Sequence, residues 1–217
     1  MSLSIKHLLI PSLSLLALTA IATPLAHAAD TENPTEEPKI ETKAEFDVIP
    51  GEITFDSAPD LDFGTFKVDQ LIKGATSNAK PTTTPLSVTD YRGNNAGWVV
   101  KAQLTAFKPA TSHVTTSQLT GSIVINNASL TANNTEQKSQ FTKTPIVSGP
   151  DGQSYGSTVT VWTAGDDSGQ GVNKATFGAS DVALTTAANV HSEGKHYTAK
   201  LLWTLSATTE PTTPAEP

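Results

Sequence analysis

Apolar and polar residues alternate along most of this chain, and the alternation is clearest in two segments. The first covers residues 97–104 and the second covers residues 197–205, and each places a tryptophan two residues before a large aliphatic residue. Side chains i and i+2 of a strand point to the same face. Two pairs of residues are therefore expected to share a face: Trp98 with Val100, and Trp203 with Leu205.

Shorter alternating runs recur between clusters of Gly, Pro and Asn, whereas helix-period patterns are scarce. This pattern is typical of an all-β domain. Each of the two Trp segments has one apolar and one mostly polar face, which favours a two-sheet β-sandwich of immunoglobulin-like character. Residues 92–97 are predicted to join two strands as a hairpin, and residues 116–119 fit either a short helix or a loop. We predict strands near residues 52–55, 62–68, 86–90, 97–107, 121–125, 157–164, 182–185 and 197–206.

The two ends of the chain differ in composition from the middle. Residues 1–28 fit a signal peptide, with a charged start, an apolar run and Ala26-His27-Ala28 as the cleavage pattern. A membrane anchor is disfavoured because the run is short and contains proline. Residues 29–45 form an acidic leader and residues 208–217 form a Thr/Pro/Glu tail, both predicted to be flexible. Residues 46–207 are then one β domain.

The acidic excess of the chain is confined to one region. From Asp30 to Asp69 there are twelve acids against three lysines, a net charge of −9, whereas from Gln70 onward nine acids face ten basic residues, a net of +1. No Lys/Arg stripe is present, which disfavours nucleic-acid binding. The chain has no cysteine, so we expect neither disulfides nor a lipid-modified N-terminal cysteine. The tail has no apolar stretch and no basic end, so we expect no sorting signal for covalent wall attachment.

Four segments of the β domain form an ordered set. They read PGEITF at 50–55 with LDFG at 61–64, VTDYRG at 88–93, GW at 97–98, and YTAKLLWTL at 197–205. This set resembles the motif segments of the WxL-domain surface proteins of low-GC Gram-positive bacteria, over most of the chain after the signal peptide. One residue departs from the family pattern, since Val100 stands where the family usually has leucine.

The resemblance implies an exported protein attached non-covalently to the bacterial cell wall, with peptidoglycan as the usual ligand. The expected location is the cell surface, with a secreted fraction. The implied partners are companion WxL-type proteins, membrane-anchored surface proteins and, for some relatives, host extracellular-matrix proteins. Two alternative functions belong to other classes: an adhesin or assembly subunit that binds such proteins, and a wall-active hydrolase.

Two groups of residues are candidate sites. Trp98, Val100, Trp203 and Leu205 could form a binding patch for the wall or a partner, because exposed indole faces often pack against ligands, or they could belong to the core. Asp90 and Arg92 could face a ligand, although a carboxylate–guanidinium contact that anchors the following turn is the favoured interpretation.

Catalytic and metal-binding patterns are weak in this sequence. There is no Gly-x-Ser-x-Gly, no cysteine nucleophile and no phosphate loop. His191 and His196 lack an identifiable third metal ligand. Residues 166–169 lack the spaced acids of a calcium loop and fit a plain turn. We therefore predict a binding protein that is not an enzyme and that holds no metal or cofactor.

Overall fold

The computed structural model of the protein describes residues 40–111, 115–132 and 139–208. The predicted signal peptide, residues 29–39 of the predicted leader and the tail from residue 209 lie outside these ranges. The chain divides into two units, Met1–Phe46 and Asp47–Pro217. Residues 40–46 of the first unit have no regular secondary structure. The second unit contains the β domain.

The described residues form fourteen strands, one α-helix and one 3-10 turn, Thr115–Ser117. None of their helices is long and apolar enough to cross a membrane. The elements are β1 (Ile53–Ser57), α1 (Val68–Lys73), β2 (Thr76–Asn78), β3 (Leu86–Asp90), β4 (Trp98–Leu104), β5 (Lys108–Pro109), β6 (Gly121–Ile125), β7 (Ser129–Ala132), β8 (Gln140–Phe141), β9 (Ile146–Val147), β10 (Val159–Ala164), β11 (Gly171–Thr176), β12 (Val182–Thr186), β13 (Tyr197–Thr198) and β14 (Leu201–Ala207).

The strands pair into three four-stranded sheets and one two-stranded sheet, all antiparallel. The sheet that we call the Trp sheet has the order β14-β4-β10-β8, and the other two large sheets have the orders β1-β3-β11-β7 and β2-β12-β6-β9. Buried side chains from all three belong to one hydrophobic cluster. The predicted all-β sandwich is thereby confirmed.

The core follows from strict alternation in β4. Its odd positions are half-buried, whereas the side chains at its four even positions are at most 1% exposed. Strand β10 departs from the rule because a register shift between Thr160 and Trp162 turns two consecutive side chains inward. Val161 and Trp162 are therefore both buried, as expected where a β-bulge inserts a residue.

The predicted strand at 62–68 is wrong. Residues 58–67 have no regular secondary structure, and α1 begins at Val68. An Asx turn breaks the chain here, because the Gly64 amide donates to Asp62 Oδ1 at 2.7 Å. Leu61, Phe63 and Phe66 nevertheless pack against the core. The alternation of this segment therefore indicated burial rather than strand pairing.

The predicted hairpin at 92–97 is also wrong. Strand β3 pairs with β1 and β11, whereas β4 belongs to the Trp sheet, so residues 92–97 carry the chain from one sheet to another. Gly97 permits this crossing: its φ is +66°, and a Cβ there would collide with the Ala164 carbonyl oxygen. Residues 116–119, for which the sequence allowed either a short helix or a loop, contain part of the 3-10 turn. An isolated bridge from Leu119 to Phe107 follows this turn.

Candidate functional site

The two Trp segments are neighbours in the Trp sheet. Strands β4 and β14 pair antiparallel, with Trp203 opposite Ala102 and Leu205 opposite Val100. Directly opposed residues of paired strands project to the same face. Trp98, Val100, Trp203 and Leu205 consequently lie along one continuous apolar face that spans both strands.

Trp98 lies fully inside the core. Its side chain is 0% exposed, its Nε1 donates to the Gly169 carbonyl oxygen at 3.1 Å, and its ring meets Trp162 edge to face at 4.8 Å between centroids. Gly169 has φ +77°, and a Cβ at this position would come within 2.5 Å of Trp98 Nε1. Val100 is also 0% exposed. These two residues pack the interior.

Trp203 and Leu205 have a different environment. Both are only half-buried, because β14 is the edge strand of the Trp sheet whereas β4 has a neighbour on each side. Trp203 lines a groove of about 820 Å³. Of the two predicted Trp motifs, the second therefore contributes to an accessible surface.

The groove lies where the Trp sheet and the β12-containing sheet separate. Leu104 and Leu201 come from the first sheet, and Ile123 and Leu184 come from the second. Residues 58–66 and 193–199 supply further lining. Besides Trp203, the aromatic lining consists of Phe63, Phe66, Phe107 and Tyr197, and charged or titratable side chains are provided by Asp60, Asp62, Glu193, Lys195 and His196.

Asp62 holds part of the groove wall in place. Its carboxylate accepts from Lys80 Nζ at 2.6 Å and from the Gly64 amide at 2.7 Å. The hydrogen bond from Lys80, followed by that from Gly64, lowers the pKa of Asp62 below its ordinary value of 3.8. Since Lys80 lies outside the groove lining, this contact links the 58–66 segment to a neighbouring part of the domain.

Asp90 and Arg92 form a compact clamp beside the Trp strands. Arg92 Nε and Nη2 donate to the two carboxylate oxygens of Asp90 at 2.9 and 2.7 Å. Arg92 Nη2 also donates to the Gly97 carbonyl at 2.6 Å, and Nη1 donates to the Thr208 carbonyl at 3.3 Å. The clamp thus joins the end of β3 to the start of β4 and the end of β14.

The electrostatics of the clamp fit a fixed ion pair. The side chains of Arg92 and Asp90 are 15% and 4% exposed. The hydrogen bonds to Asp90 raise the pKa of Arg92 and outweigh the opposing effect of burial. Because its donors are engaged within the protein, the pair has little capacity left for a ligand.

The remaining candidates do not come together. His191 and His196 are exposed, and no three His, Cys, Asp or Glu side chains of the described ranges are grouped to hold a metal ion. Residues 165–168 form a turn closed by Ser168, whose amide and hydroxyl both donate to the Gly165 carbonyl oxygen.

Sequence reasoning missed the aromatic lining of the groove. Phe63, Phe66 and Tyr197 were assigned to predicted strands rather than to a site. The detectable signal was the cluster of three aromatic or aliphatic residues at 61, 63 and 66 beside an Asp-x-Gly turn. Trp162, the third tryptophan of the chain, stacks on Phe141 at 5.1 Å and contacts Trp98, so it belongs to the core.

Comparison with known proteins gives one match. A family model described as WxL domain, surface cell wall-binding, matches residues 20–209. No curated protein and no solved structure matches the chain at a significant level.

Proposed function

From the premise that this chain belongs to the WxL-domain family of cell wall-binding surface proteins, we propose that the groove beside Trp203 binds the wall polymer. The observation that carries the proposal is the unequal burial of the two tryptophans. Trp98 is enclosed, whereas Trp203 is half-buried and lines an open groove. An indole held in a groove by its strand offers a rigid face to a sugar ring.

The shape and chemistry of the groove support a polymer of mixed character. Its lining is aromatic at Phe63, Phe66 and Tyr197, which suits the apolar faces of sugar rings. Asp60 and Glu193 contribute acids, and Lys195 contributes a base. Peptidoglycan presents sugar rings together with charged peptide groups, so it is the wall component that we assign to this groove.

The mode of attachment in this proposal is non-covalent binding without catalysis. A cell wash with a chaotrope should then release the intact exported protein. Persistence on the cells until the wall is digested would contradict non-covalent attachment. Release of soluble fragments from purified peptidoglycan by the protein would contradict a purely binding role.

The direct test is a binding isotherm on purified peptidoglycan with Trp203→Ala. We expect affinity to fall about tenfold or more, equivalent to about 1.4 kcal/mol. Tyr155→Ala is the matched control, because Tyr155 is an exposed aromatic outside the groove, and it should bind as the unmodified protein does. Equal affinity of the Trp203 variant and the unmodified protein would refute the assignment.

Protein ligands are the alternative occupants of the same groove. The family resemblance implies companion surface proteins and host-matrix proteins as such ligands. If the groove binds one of them, the chain is an adhesin or assembly subunit. Retention that survives enzymatic removal of the glycan, and that still depends on Trp203, would favour such a protein ligand over peptidoglycan.

A further inference from the structure

The segment that precedes β1 has the sequence pattern of a strand but pairs with no strand of the described ranges. In residues 40–48 the side chains of Ile40, Thr42, Ala44, Phe46 and Val48 alternate with charged ones. The segment has no regular secondary structure. Ile40 is 89%, Phe46 88% and Val48 78% exposed. In an extended segment these three large apolar side chains would lie on one face and open to water, which marks an interaction surface.

The chain also has a free strand edge, on β14. The Thr208 amide donates to Gly97, and the Thr105 amide donates to Lys200, which places the even-numbered residues of β14 in hydrogen-bonded pairs with β4. Antiparallel pairing alternates, so the backbone groups of the odd-numbered residues point away from β4. No strand of the described ranges pairs with that edge.

The side chains on this edge are incompletely covered. The odd-numbered residues, whose backbone groups point to this edge, are Leu201, Trp203, Leu205 and Ala207. The first three are only half-buried and Ala207 is exposed. By contrast, every inward side chain of the neighbouring strand β4 is at most 1% exposed. A further strand beside β14 would supply backbone partners and apolar cover at the same positions.

Charge and length both favour residues 40–48 as this strand. Its polar face carries Glu41, Lys43, Glu45 and Asp47, a net of −2 from three acids and one lysine. The outward face of β14 is uncharged, and two lysines belong to the same side of the sheet: Lys101 of β4, which is opposite Thr204, and Lys200, which precedes β14. Nine residues are sufficient to span the seven of β14.

We propose that residues 40–48 of one copy add as an edge strand to β14 of a second copy. The backbone supplies hydrogen bonds and the alternate side chains of Ile40, Phe46 and Val48 supply apolar contact, as in other cases of strand addition. The contact joins different surfaces of the two copies, so it builds closed rings or open chains. It does not depend on the polymer assignment above.

A strand on this edge would lie over the Trp203 side of the groove. Assembly and polymer binding would then compete for the same edge. Removing residues 40–48 should therefore increase the amount of protein bound to purified peptidoglycan at high protein concentration, where assembly is strongest.

The absence of cysteine from the chain makes the strand contact testable by cross-linking. Glu45→Cys and Thr204→Cys place one thiol on the polar face of the donor segment and one on the exposed face of β14. A mixture of the two single variants should give a disulfide-linked heterodimer as its main product. The matched control pairs Glu45→Cys with Asn78→Cys, an exposed position on β2, and should give only the background yield.

Two further variants separate the strand contact from general association. Light scattering should show a mass that rises at least about twofold with concentration, and deletion of residues 40–48 should abolish the rise. Ala207→Pro should reduce it as well, because the Ala207 amide points to the free edge and proline removes that donor. Ala207→Ser keeps the amide and should assemble as the unmodified protein does.

Several outcomes would overturn strand addition between copies. They are a constant monomer mass at all concentrations, cross-linking no better than the control pair, and closure of the disulfide within one chain when Glu45→Cys and Thr204→Cys are combined. The last would show that the segment adds to its own domain. If the unmodified protein does not assemble but binds peptidoglycan, this inference alone is rejected. If it assembles but does not bind peptidoglycan, only the polymer assignment is rejected.

Discussion

Strands β4 and β14 carry nearly the same motif, yet the protein uses them differently. Both alternate apolar and polar residues around a tryptophan, and they lie side by side in register. Strand β4 is flanked by β14 and β10, so Trp98 is enclosed; β14 is an edge, so Trp203 stays half-buried. Burial of the motif is thus set by the neighbours that the topology provides and not by the motif itself.

The largest effect on this comparison should come from Trp98→Ala. The substitution removes a fully buried indole, its hydrogen bond to Gly169 and its contact with Trp162. We expect the free energy of unfolding to fall by about 3–5 kcal/mol, measured by urea titration. A loss below that of Trp203→Ala would contradict the assignment of Trp98 to the core.

The second effect concerns the clamp that joins the two strands. Arg92→Ala leaves the Asp90 carboxylate, which is 4% exposed, without its cation, and should cost about 2–3 kcal/mol. Arg92→Lys keeps the charge but not the two-point contact, so its loss should be intermediate. If the clamp acts as a unit, Asp90→Ala combined with Arg92→Ala will cost less than the sum of the single changes.

Trp203→Ala should have a smaller effect on stability than Trp98→Ala. Because its side chain is half-buried at an edge, we expect a loss of about 1–2 kcal/mol with the far-ultraviolet circular dichroism spectrum unchanged. A loss as large as that of Trp98→Ala would show that the two tryptophans are equivalent. In that case Trp203 would be a core residue like Trp98, and its assignment to a binding groove would fail.

Acid should act on β1 before it acts on the two Trp strands. Burial tends to raise the pKa of Asp56, but hydrogen bonds from Thr54, Thr89 and Ser87 more than offset it, so the pKa is lowered below 3.8. A depressed carboxylate pKa contributes stability above the unfolded value, and this contribution is lost as pH falls through the folded value.

The expected result is a melting temperature that declines below about pH 4. Asp56→Asn should flatten that decline slightly, since Asp62 and Asp151 also have lowered pKa values. Strands β4 and β14 contain no carboxylate. Exchange of the amides that bond β4 to β14 should therefore be protected to lower pH than exchange in β1, and simultaneous loss of protection would contradict this order.

Much of the fold was predictable because strand period reports which face a side chain occupies. The strands at 86–90 and 121–125 are confirmed with these bounds. Strand β4 is shorter than the predicted 97–107, and the predicted strand at 197–206 is divided into β13 and β14, which belong to different sheets. Strand β11 was missed because Asn173, Lys174 and Thr176 hide its apolar positions. The edge position of β14 was not predictable, since it depends on pairings far apart in the chain.

The candidate site was only partly predictable for a related reason. Trp203 was proposed from its motif, and its half-burial follows from the edge. The groove also needs Phe63 and Phe66, which lie in a segment without regular structure. The local pattern shows that these residues are apolar, but their place in the same groove as Trp203 depends on a segment held by an Asx turn and by the ion pair of Asp62 with Lys80.

The contact between Gly169 and the indole of Trp98 has a consequence for how such sequences vary. A side chain at 169 would collide with Ala164 Cβ and would meet Trp98 Nε1 at 2.5 Å, and the φ of +77° is one that residues other than glycine rarely adopt. A smaller aromatic at 98 would remove only the second of these clashes and would no longer supply the N–H that the Gly169 carbonyl accepts. Among relatives that have tryptophan at 98, position 169 should therefore stay glycine.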